Sequence, residues 1–278
     1  MRTLDAEELE RYREYLVETE KSEATIEKYI RDIKSFEQWK QGNFEVTKEV
    51  VIEYKNYLRE HYKTASASSM LEAVNRYFQW LGWENVCVKG IKSQRQMFSY
   101  EKELTMDEYR KMVEMARQEG KEQLALLMET IAGTGMRISE LPSVTVEAVV
   151  LGWAEVLGKG KCRQIYLPKE LRRRLEQFCQ EKGIQKGSVF ISKHGNPLNR
   201  SNVWKQLKHI SEKAGVDSEK AFPHNFRHLF ARTYYKKYKD IVYLADILGH
   251  ASIDTTRIYT KTACESHVEM IESLGLIN

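Results

Sequence analysis

Residues 222–260 contain three short runs that decide the fold: F-P-H-N-F-R-H-L-F-A (222–231), L-A-D-I-L-G-H (244–250) and A-S-I-D-T-T-R-I-Y-T (251–260). Pro223 favours a helix over about 224–237, on which His224 and Arg227 share one face because they lie three residues apart. A second helix at 240–248 is predicted to end at Gly249, a typical C-cap. His250 follows this cap directly.

Tyr259 lies nine residues beyond His250. In one unbroken helix, nine steps of about 100° would put the two side chains on opposite faces. Gly249 and the cap-like run A-S-I-D predict a break in the helix, which allows the two to come together. A packed core residue is the usual interpretation of a single tyrosine in such a place.

A second polar candidate lies upstream, in G-T-G-M-R-I-S-E-L (133–141). Its glycines allow a tight turn after a helix that we expect to stop at Gly133. Arg137 would then lie at a helix start beside free backbone N–H groups, a favourable place for an anion. A salt bridge with Glu140 explains Arg137 equally well.

The region 153–167 alternates like a β-hairpin around the turn G-K-G-K (158–161), with Lys159 at its tip. A short strand is predicted at 188–192. Ser201 is predicted to cap a helix whose exposed face is basic at Lys205 and Lys208. Such a face, with Trp204 at its start, fits a groove of duplex DNA.

Residues 1–90 predict a bundle of four amphipathic helices. The first apolar stripe includes Leu16 and Val17, and Thr47 is the expected N-cap of the third helix. The outer faces carry basic residues that would contact phosphates, although a solvated surface is the simpler interpretation. These residues are Lys28, Arg31, Lys34, Lys63 and Arg76.

Residues 91–104 lack helical periodicity and are interpreted as a linker. Thr105 then opens a second domain, 105–278, because T-M-D-E is a capping box with Glu108 three residues on.

The composition is consistent with two modest domains in 278 residues. The net charge of +4 is too small to indicate a nucleic-acid binder by itself. The four cysteines show no C-x-x-C spacing, so we expect neither a zinc site nor a disulfide framework. We find no signal-like start and no apolar run long enough for a bilayer, and we therefore expect a cytoplasmic protein.

The polar residues have complementary chemistry. Arg137 and Arg227 are planar donors suited to the non-bridging oxygens of a phosphodiester. Tyr259 is a potential nucleophile, and Lys159 is a potential proton donor to a 5′-hydroxyl leaving group. A metal site is not expected, because His224, His228 and His250 lack the tight i, i+4 pairs with a nearby carboxylate that zinc enzymes favour, although His224 and His228 lie four residues apart.

Four sequence boxes together resemble those of the tyrosine recombinases, the lambda-integrase family, and are most similar to the compact Xer-type and phage- or transposon-type members. The matching boxes are T-G-M-R-I-S-E-L, G-K-G-K-C-R, P-H-N-F-R-H and L-G-H-A-S-I-D-T-T-R-I-Y-T, in that order. The resemblance covers nearly the whole chain. It implies a mainly α fold, with a four-helix core-binding (SAM-like) domain and a mostly helical catalytic domain that has a small β-hairpin.

The resemblance also implies a function. Four protomers would join two DNA duplexes, and Tyr259 would form a 3′-phosphotyrosyl link, followed by strand exchange through a Holliday junction. Arg137 and Arg227 would stabilise the transition state, Lys159 would be the general acid, His224 would assist proton transfer and His250 would bind the phosphate. No cofactor and no metal is implied, and the free protein is expected to be a monomer.

Two other functions remain open at this stage. A type IB topoisomerase-like enzyme would use the same chemistry to relax supercoils without exchanging partners. A catalytically idle DNA-binding accessory protein would not need the complete set of six polar groups.

Overall fold

The computed structural model describes residues 6–40, 45–91, 103–158, 161–192, 194–250, 252–260 and 272–273. The chain divides into two compact units, Met1–Met97 and Phe98–Asn278. Most of the expected linker, residues 92–102, lies outside the described residues, as does the predicted general acid Lys159.

The first unit consists of four helices and a short 3-10 turn. The helices are α1 (Ala6–Glu18), α2 (Glu23–Lys40), α3 (Lys48–His61) and α4 (Thr64–Trp80). Apolar residues at helical spacing form one core, with Ile33, Phe36 and Tyr77 fully buried. Because each helix is apolar on one face only, the four are stable as a bundle.

Local signals in this unit are mostly confirmed. Thr47 caps α3 by accepting a hydrogen bond from the backbone N–H of Val50. The prediction for Val17 was wrong, since this residue is 58% exposed while Leu16 is buried. Adjacent helical residues diverge by about 100°, so only one of the two can face the core.

The second unit begins with two packed helices, α5 (Met106–Gln118) and α6 (Glu122–Thr134), and a 3-10 helix at Ile138–Ser143. The capping box of Thr105 and Glu108 is present at the start of α5. α6 ends at Gly135, which has φ +69°, and not at Gly133 as predicted. A side chain there would meet Phe230 of a later helix, so tertiary packing decides which glycine ends α6.

A helix α7 (Val146–Leu151) leads into an antiparallel hairpin of β1 (Trp153–Gly158) and β2 (Lys161–Tyr166). In its register, Ala154 faces Ile165 and Val156 faces Arg163. Ala154, Val156 and Ile165 are buried, so this face of the hairpin is the inner one. Arg163 therefore lies on the inner face, among apolar neighbours.

The further helices described in full are α8 (Lys169–Lys182), α9 (Arg200–Lys213), α10 (Pro223–Tyr238), α11 (Ile241–Leu248) and α12 (Ile253–Thr256), followed by a 3-10 turn at Arg257–Thr260. α10 packs against α6, and both α5 and α6 contact α9. Two predictions here were wrong. Asn199, not Ser201, caps α9, and residues 188–192 contribute only isolated bridges, Thr145 with Ser188 and Ile191 with Pro197.

Gly135→Ala should destabilise the protein more than Gly120→Ala. Both glycines have positive φ, +69° and +66°, so both substitutions incur the left-handed penalty of about 1–2 kcal/mol. Only at Gly135 would the new Cβ lie 2.5 Å from a Phe230 ring carbon, which adds roughly 1–3 kcal/mol of overpacking. Urea unfolding of the two variants measures the difference, and equal losses would contradict the steric explanation.

Candidate active site

The C-terminal end of α11 is the centre of the site. Its consecutive carbonyls of Ile247, Leu248 and Gly249 each accept a hydrogen bond from a different arginine. The donors are Arg163, Arg227 and Arg137, respectively, at distances of 2.6, 2.7 and 3.2 Å. Free carbonyls at a helix C-terminus form the negative end of the helix dipole, so they suit three cations arriving from other segments.

Arg227 is the most deeply placed of the three, with only 1% of its surface exposed. Its two terminal nitrogens donate to the carbonyls of Gly135 and Leu248, each at 2.7 Å, so it joins the ends of α6 and α11. Burial, reinforced by the charge of Arg137, lowers its pKa to about 10, which leaves it cationic at neutral pH. Within the described residues its buried Nε–H has no partner.

Arg137 occupies the N-cap position of the 3-10 helix that follows α6. Its Nη1 donates to Glu140 Oε1 at 2.9 Å, and its backbone N–H donates to Glu140 Oε2 at 2.6 Å. The two interpretations of Arg137 are therefore compatible. The ion pair with Glu140 is present, yet 38% of the arginine side chain stays exposed and able to meet an anion.

Arg163 was not predicted as a site residue, and it completes the hydrogen-bond network of Arg137 and Glu140. Its Nη2 donates to Glu140 Oε2 at 2.6 Å, and its side chain is only 16% exposed. Burial opposes ionisation of Glu140, but hydrogen bonds from Arg137 and Arg163 outweigh it and hold the pKa below its usual range. A signal was available in the strand alternation, which puts Arg163 on the same face as Ile165.

His250 follows the α11 cap and connects to Arg227. Its Nε2 lies 3.0 Å from Nη2 of Arg227, which can only donate, so Nε2 is the acceptor. The ring proton is then on Nδ1, 2.8 Å from Oγ1 of Thr256. Burial and the charge of Arg227 lower the pKa of His250 to about 4, so the ring is neutral at pH 7.

Two further histidines lie on α10. His224 reaches the surface, and burial of the rest of its ring, with the charge of Arg227, lowers its pKa. His228 is buried behind it, with ring centroids 4.5 Å apart, and burial lowers its pKa to about 4. The ring of His228 also lies 5.2 Å from that of Tyr259, so it is packed between the exposed histidine and the phenol.

Tyr259 is held in an apolar cluster with Ala231, Leu244 and Leu248 and is 9% exposed. Burial raises its pKa to about 12, although the charge of Arg227 acts in the opposite direction. The predicted break before it is confirmed: Gly249 has φ +62° and Ser252 caps α12. The break folds Tyr259 back against α10 instead of leading it away.

A cleft of about 370 Å³ opens beside these groups. Arg137, His224 and Arg227 line it, together with Arg200 and Trp204 from the first turns of α9. His250 and Tyr259 do not line this cleft. His250 contacts Arg227, which does line it, and Tyr259 packs against His228. Arg200 was missed in the sequence, because its place beside Arg137 depends on how α9 packs.

The predicted DNA contacts of the first unit lie on helix surfaces, but several are engaged within the protein. Lys28 donates to the buried carboxylate of Asp32 at 2.6 Å, and Arg31, 73% exposed, lies 3.3 Å from the same carboxylate. Lys34 lines a shallow cavity with Arg31. Arg76 pairs with Glu72, whereas Lys63 is exposed at the N-cap position of α4.

The predicted contacts of α9 lie on its outer face. Lys205 is exposed, and the ammonium of Lys208 sits 4.2 Å from the ring centroid of Trp204. A cation over an indole face holds both side chains in place. The helix therefore presents an ordered cationic and aromatic surface next to the cleft.

The described part of the chain was also expected to hold neither a metal site nor a membrane span. No group of three or more histidine, cysteine or acidic side chains there is arranged to hold a metal ion. Among the helices whose residues are described, none combines the length and the apolar character needed to span a membrane.

The chain is similar to several known proteins. Residues 102–265 match the model of the phage integrase family, and residues 9–85 match its N-terminal SAM-like domain. The tyrosine recombinase XerA of Pyrococcus furiosus is 28% identical over 99% of this chain and 96% of its own length. The tyrosine recombinase XerD of Halalkalibacterium halodurans is 30% identical, over 88% of this chain and 89% of its own length.

Among solved structures, a lambda integrase tetramer bound to a Holliday junction has the same fold. It superposes with a TM-score of 0.72 at 21% identity and covers 93% of this chain and 78% of that one.

Acidification from pH 7 to pH 5 should destabilise the protein through His228 and His250. Both have a pKa of about 4 when folded, whereas an unfolded histidine titrates near 6.5. The unfolded chain binds more protons in this window, so this stability is present above about pH 6.5 and is lost toward pH 4. Urea unfolding at both pH values should show a loss of about 1–2 kcal/mol for each histidine.

The variant His228→Asn should lose less stability than the wild type over the same pH step. His209→Asn, at an exposed position of α9, is the matched control and should keep the wild-type pH dependence. An unaltered pH dependence in His228→Asn would contradict the assignment.

Proposed function

The chain belongs to the phage integrase family, and we propose from this membership and from its site that Tyr259 breaks and rejoins DNA. The protein is a site-specific tyrosine recombinase. Its substrate is double-stranded DNA, and its reaction passes through a covalent protein–DNA link and a Holliday junction. The observation that supports the role of the site is the meeting of Arg137, Arg227 and His250 at one helix end, with Tyr259 packed against the same helix.

The proposed first step is an in-line attack on phosphorus. The phenolic oxygen of Tyr259 forms a bond to phosphorus as the bond to the 5′-oxygen breaks. Arg137 and Arg227 bind the non-bridging oxygens, where negative charge grows in the transition state. His250 assists phosphate binding through Arg227, since its Nε2 accepts a hydrogen bond from that guanidinium and its Nδ1 faces Thr256.

Two protons move in this step. The phenol must lose its proton, which its raised pKa of about 12 makes unfavourable without a nearby base. We assign that role to His224, whose lowered pKa leaves it neutral and able to accept a proton at pH 7. Lys159, which lies in the sequence between β1 and β2 and outside the described residues, is assigned as the donor of the proton to the 5′-oxygen.

The second step reverses the first on a partner strand. A 5′-hydroxyl of the partner duplex attacks the phosphotyrosine, restores a phosphodiester and frees Tyr259. The bond energy is kept in the covalent link, so the exchange is close to energetically neutral. Four protomers on two duplexes carry out two such exchanges in turn.

The domain organisation follows the same proposal. Residues 1–90 form a core-binding domain, 91–104 a linker and 105–278 the catalytic domain. The family matches at 9–85 and 102–265 support this division. The residues that would contact the DNA backbone are Lys28, Arg31, Lys34, Lys63, Arg76, Lys205 and Lys208. A cytoplasmic location suits a protein that acts on DNA.

Tyr259→Phe should abolish covalent DNA attachment and leave DNA binding unchanged, because the phenyl ring keeps the packing but has no nucleophilic oxygen. The substrate is a nicked suicide duplex that carries a site selected by binding from a randomised duplex library. A 3′ adduct is detected on a denaturing gel. Tyr243→Phe, at a tyrosine that is 57% exposed, is the control and should attach normally. Equal adduct yields for Tyr259→Phe and the wild type would refute the mechanism.

Two labelled duplexes that carry the selected site should yield joined products with exchanged partners, together with a four-way junction intermediate. A relaxing enzyme would instead remove supercoils from a single plasmid and give no exchanged product. Relaxation without exchange at saturating protein would favour the topoisomerase-like alternative.

A further inference from the structure

Arg163 makes three contacts that fix it between separate segments of the site. It donates to Glu140 Oε2 and to the carbonyl of Ile247, both at 2.6 Å. Its Nε lies where a side chain on Gly249 would be, at 2.6 Å from an added Cβ. The side chain thus joins strand β2 to the turn of Arg137 and to the α11 cap.

Glu140 has to serve two arginines. Oε1 accepts from Arg137 Nη1, and Oε2 accepts from both the backbone N–H of Arg137 and Nη2 of Arg163. One carboxylate charge therefore faces two guanidinium charges, which leaves a net charge of about +1 to attract an incoming phosphate. Without Arg163 the whole carboxylate charge would face Arg137, and the attraction of Arg137 for a phosphate would weaken.

The position of the Arg163 guanidinium supports Arg137, as its charge does. Arg137 Nη2 donates to the carbonyl of Gly249, so its direction depends on where that carbonyl lies. Arg163 supports the C-terminal cap of α11 through its hydrogen bond to the Ile247 carbonyl and through close contact with Gly249. Loss of the guanidinium would leave the Ile247 carbonyl without this donor and Glu140 with one fewer hydrogen bond.

We propose that Arg163 is a positioning residue that keeps Arg137 oriented and its charge available to the scissile phosphate. This inference rests on the proposed function, since it concerns the same phosphoryl transfer. Arg163 does not line the cleft, so it acts through Arg137 and Glu140 and not by touching DNA.

Arg172 is a matched control within the same unit. Its guanidinium also binds two carbonyls at a helix end, those of Val149 and Val150, and it also lies beneath a glycine, Gly152. It has no contact with Glu140 among the hydrogen bonds of the described residues. Arg172→Gln therefore reproduces the loss of a structural arginine without disturbing Arg137.

The experiment measures the single-turnover rate of covalent attachment to the selected duplex for Arg163→Gln, Arg172→Gln, Arg137→Ala and the double variant Arg137→Ala/Arg163→Gln. We expect Arg163→Gln to be slower than wild type by roughly 10–100-fold, a smaller effect than removal of a direct charge-stabilising donor. Its DNA affinity should stay within about threefold. Arg172→Gln should attach at nearly the wild-type rate.

The double variant tests the route of the effect. If Arg163 acts through Arg137, adding Arg163→Gln to Arg137→Ala should slow attachment by less than about threefold, because coupled residues are not additive. A duplex with a methylphosphonate at the scissile position gives a second test, since it lacks one of the charges that Arg137 meets. On it the penalty of Arg163→Gln should shrink by at least about tenfold.

The outcomes separate the two proposals. Failure of the wild type to attach to the phosphodiester refutes the proposed function. Attachment by the wild type, with fully additive losses in the double variant, refutes the role of Arg163. A loss in Arg172→Gln equal to that in Arg163→Gln would also refute it, because stability alone would then explain the effect. Thermal unfolding of each variant shows that the compared proteins are folded.

Discussion

The C-terminal end of α11 is the constraint on which the site depends. A helix end leaves its last carbonyls without partners, and here three successive ones are met by arginines from β2, α10 and the turn after α6. Each segment is far from the others in sequence, so the helix end gathers them. Burying one guanidinium would be unfavourable by itself, and Arg227 is tolerated because it joins two such helix ends.

The electrostatic balance of the site follows from this arrangement. Arg137 and Arg163 pair with one well-buried carboxylate, Glu140, and Arg227 adds a third positive charge nearby. Burial, together with the charge of the arginines, lowers the pKa of His224 and of His250. The histidines are therefore neutral at physiological pH and add no positive charge to that of the arginines. The excess of positive charge over the single carboxylate of Glu140 is the reason that the arrangement suits a phosphodiester.

Local signals in the sequence predicted the helices well, since caps such as Thr47 and Thr105 act within one turn. They were insufficient where two residues compete for one role. Gly133 and Gly135 both suit a helix end, and the ring of Phe230, distant in sequence, decides between them. Asn199 and Ser201 both suit an N-cap, and Asn199 takes that position. The strand expected at 188–192 needed a partner strand, which sequence periodicity does not report.

The candidate site was predictable where a recognisable box carries the residue, as for Arg137, Arg227, His250 and Tyr259. Arg163 and Arg200 were not predictable in this way, because their roles come from the hairpin register and from the packing of α9. Residues proposed to touch the reacting group are thus easier to find from sequence than residues that hold them in place.

The order of the site along the chain has a consequence for synthesis. Tyr259 comes after all five other proposed groups, and its ring fills the cluster that α10 and α11 share. A nascent chain that stops between residues 250 and 258 has the other five proposed groups but lacks the proposed nucleophile, and it leaves that cluster unfilled. On the proposed mechanism, the ribosome therefore adds the nucleophile after the other five groups, so a polypeptide that ends before Tyr259 cannot nick DNA.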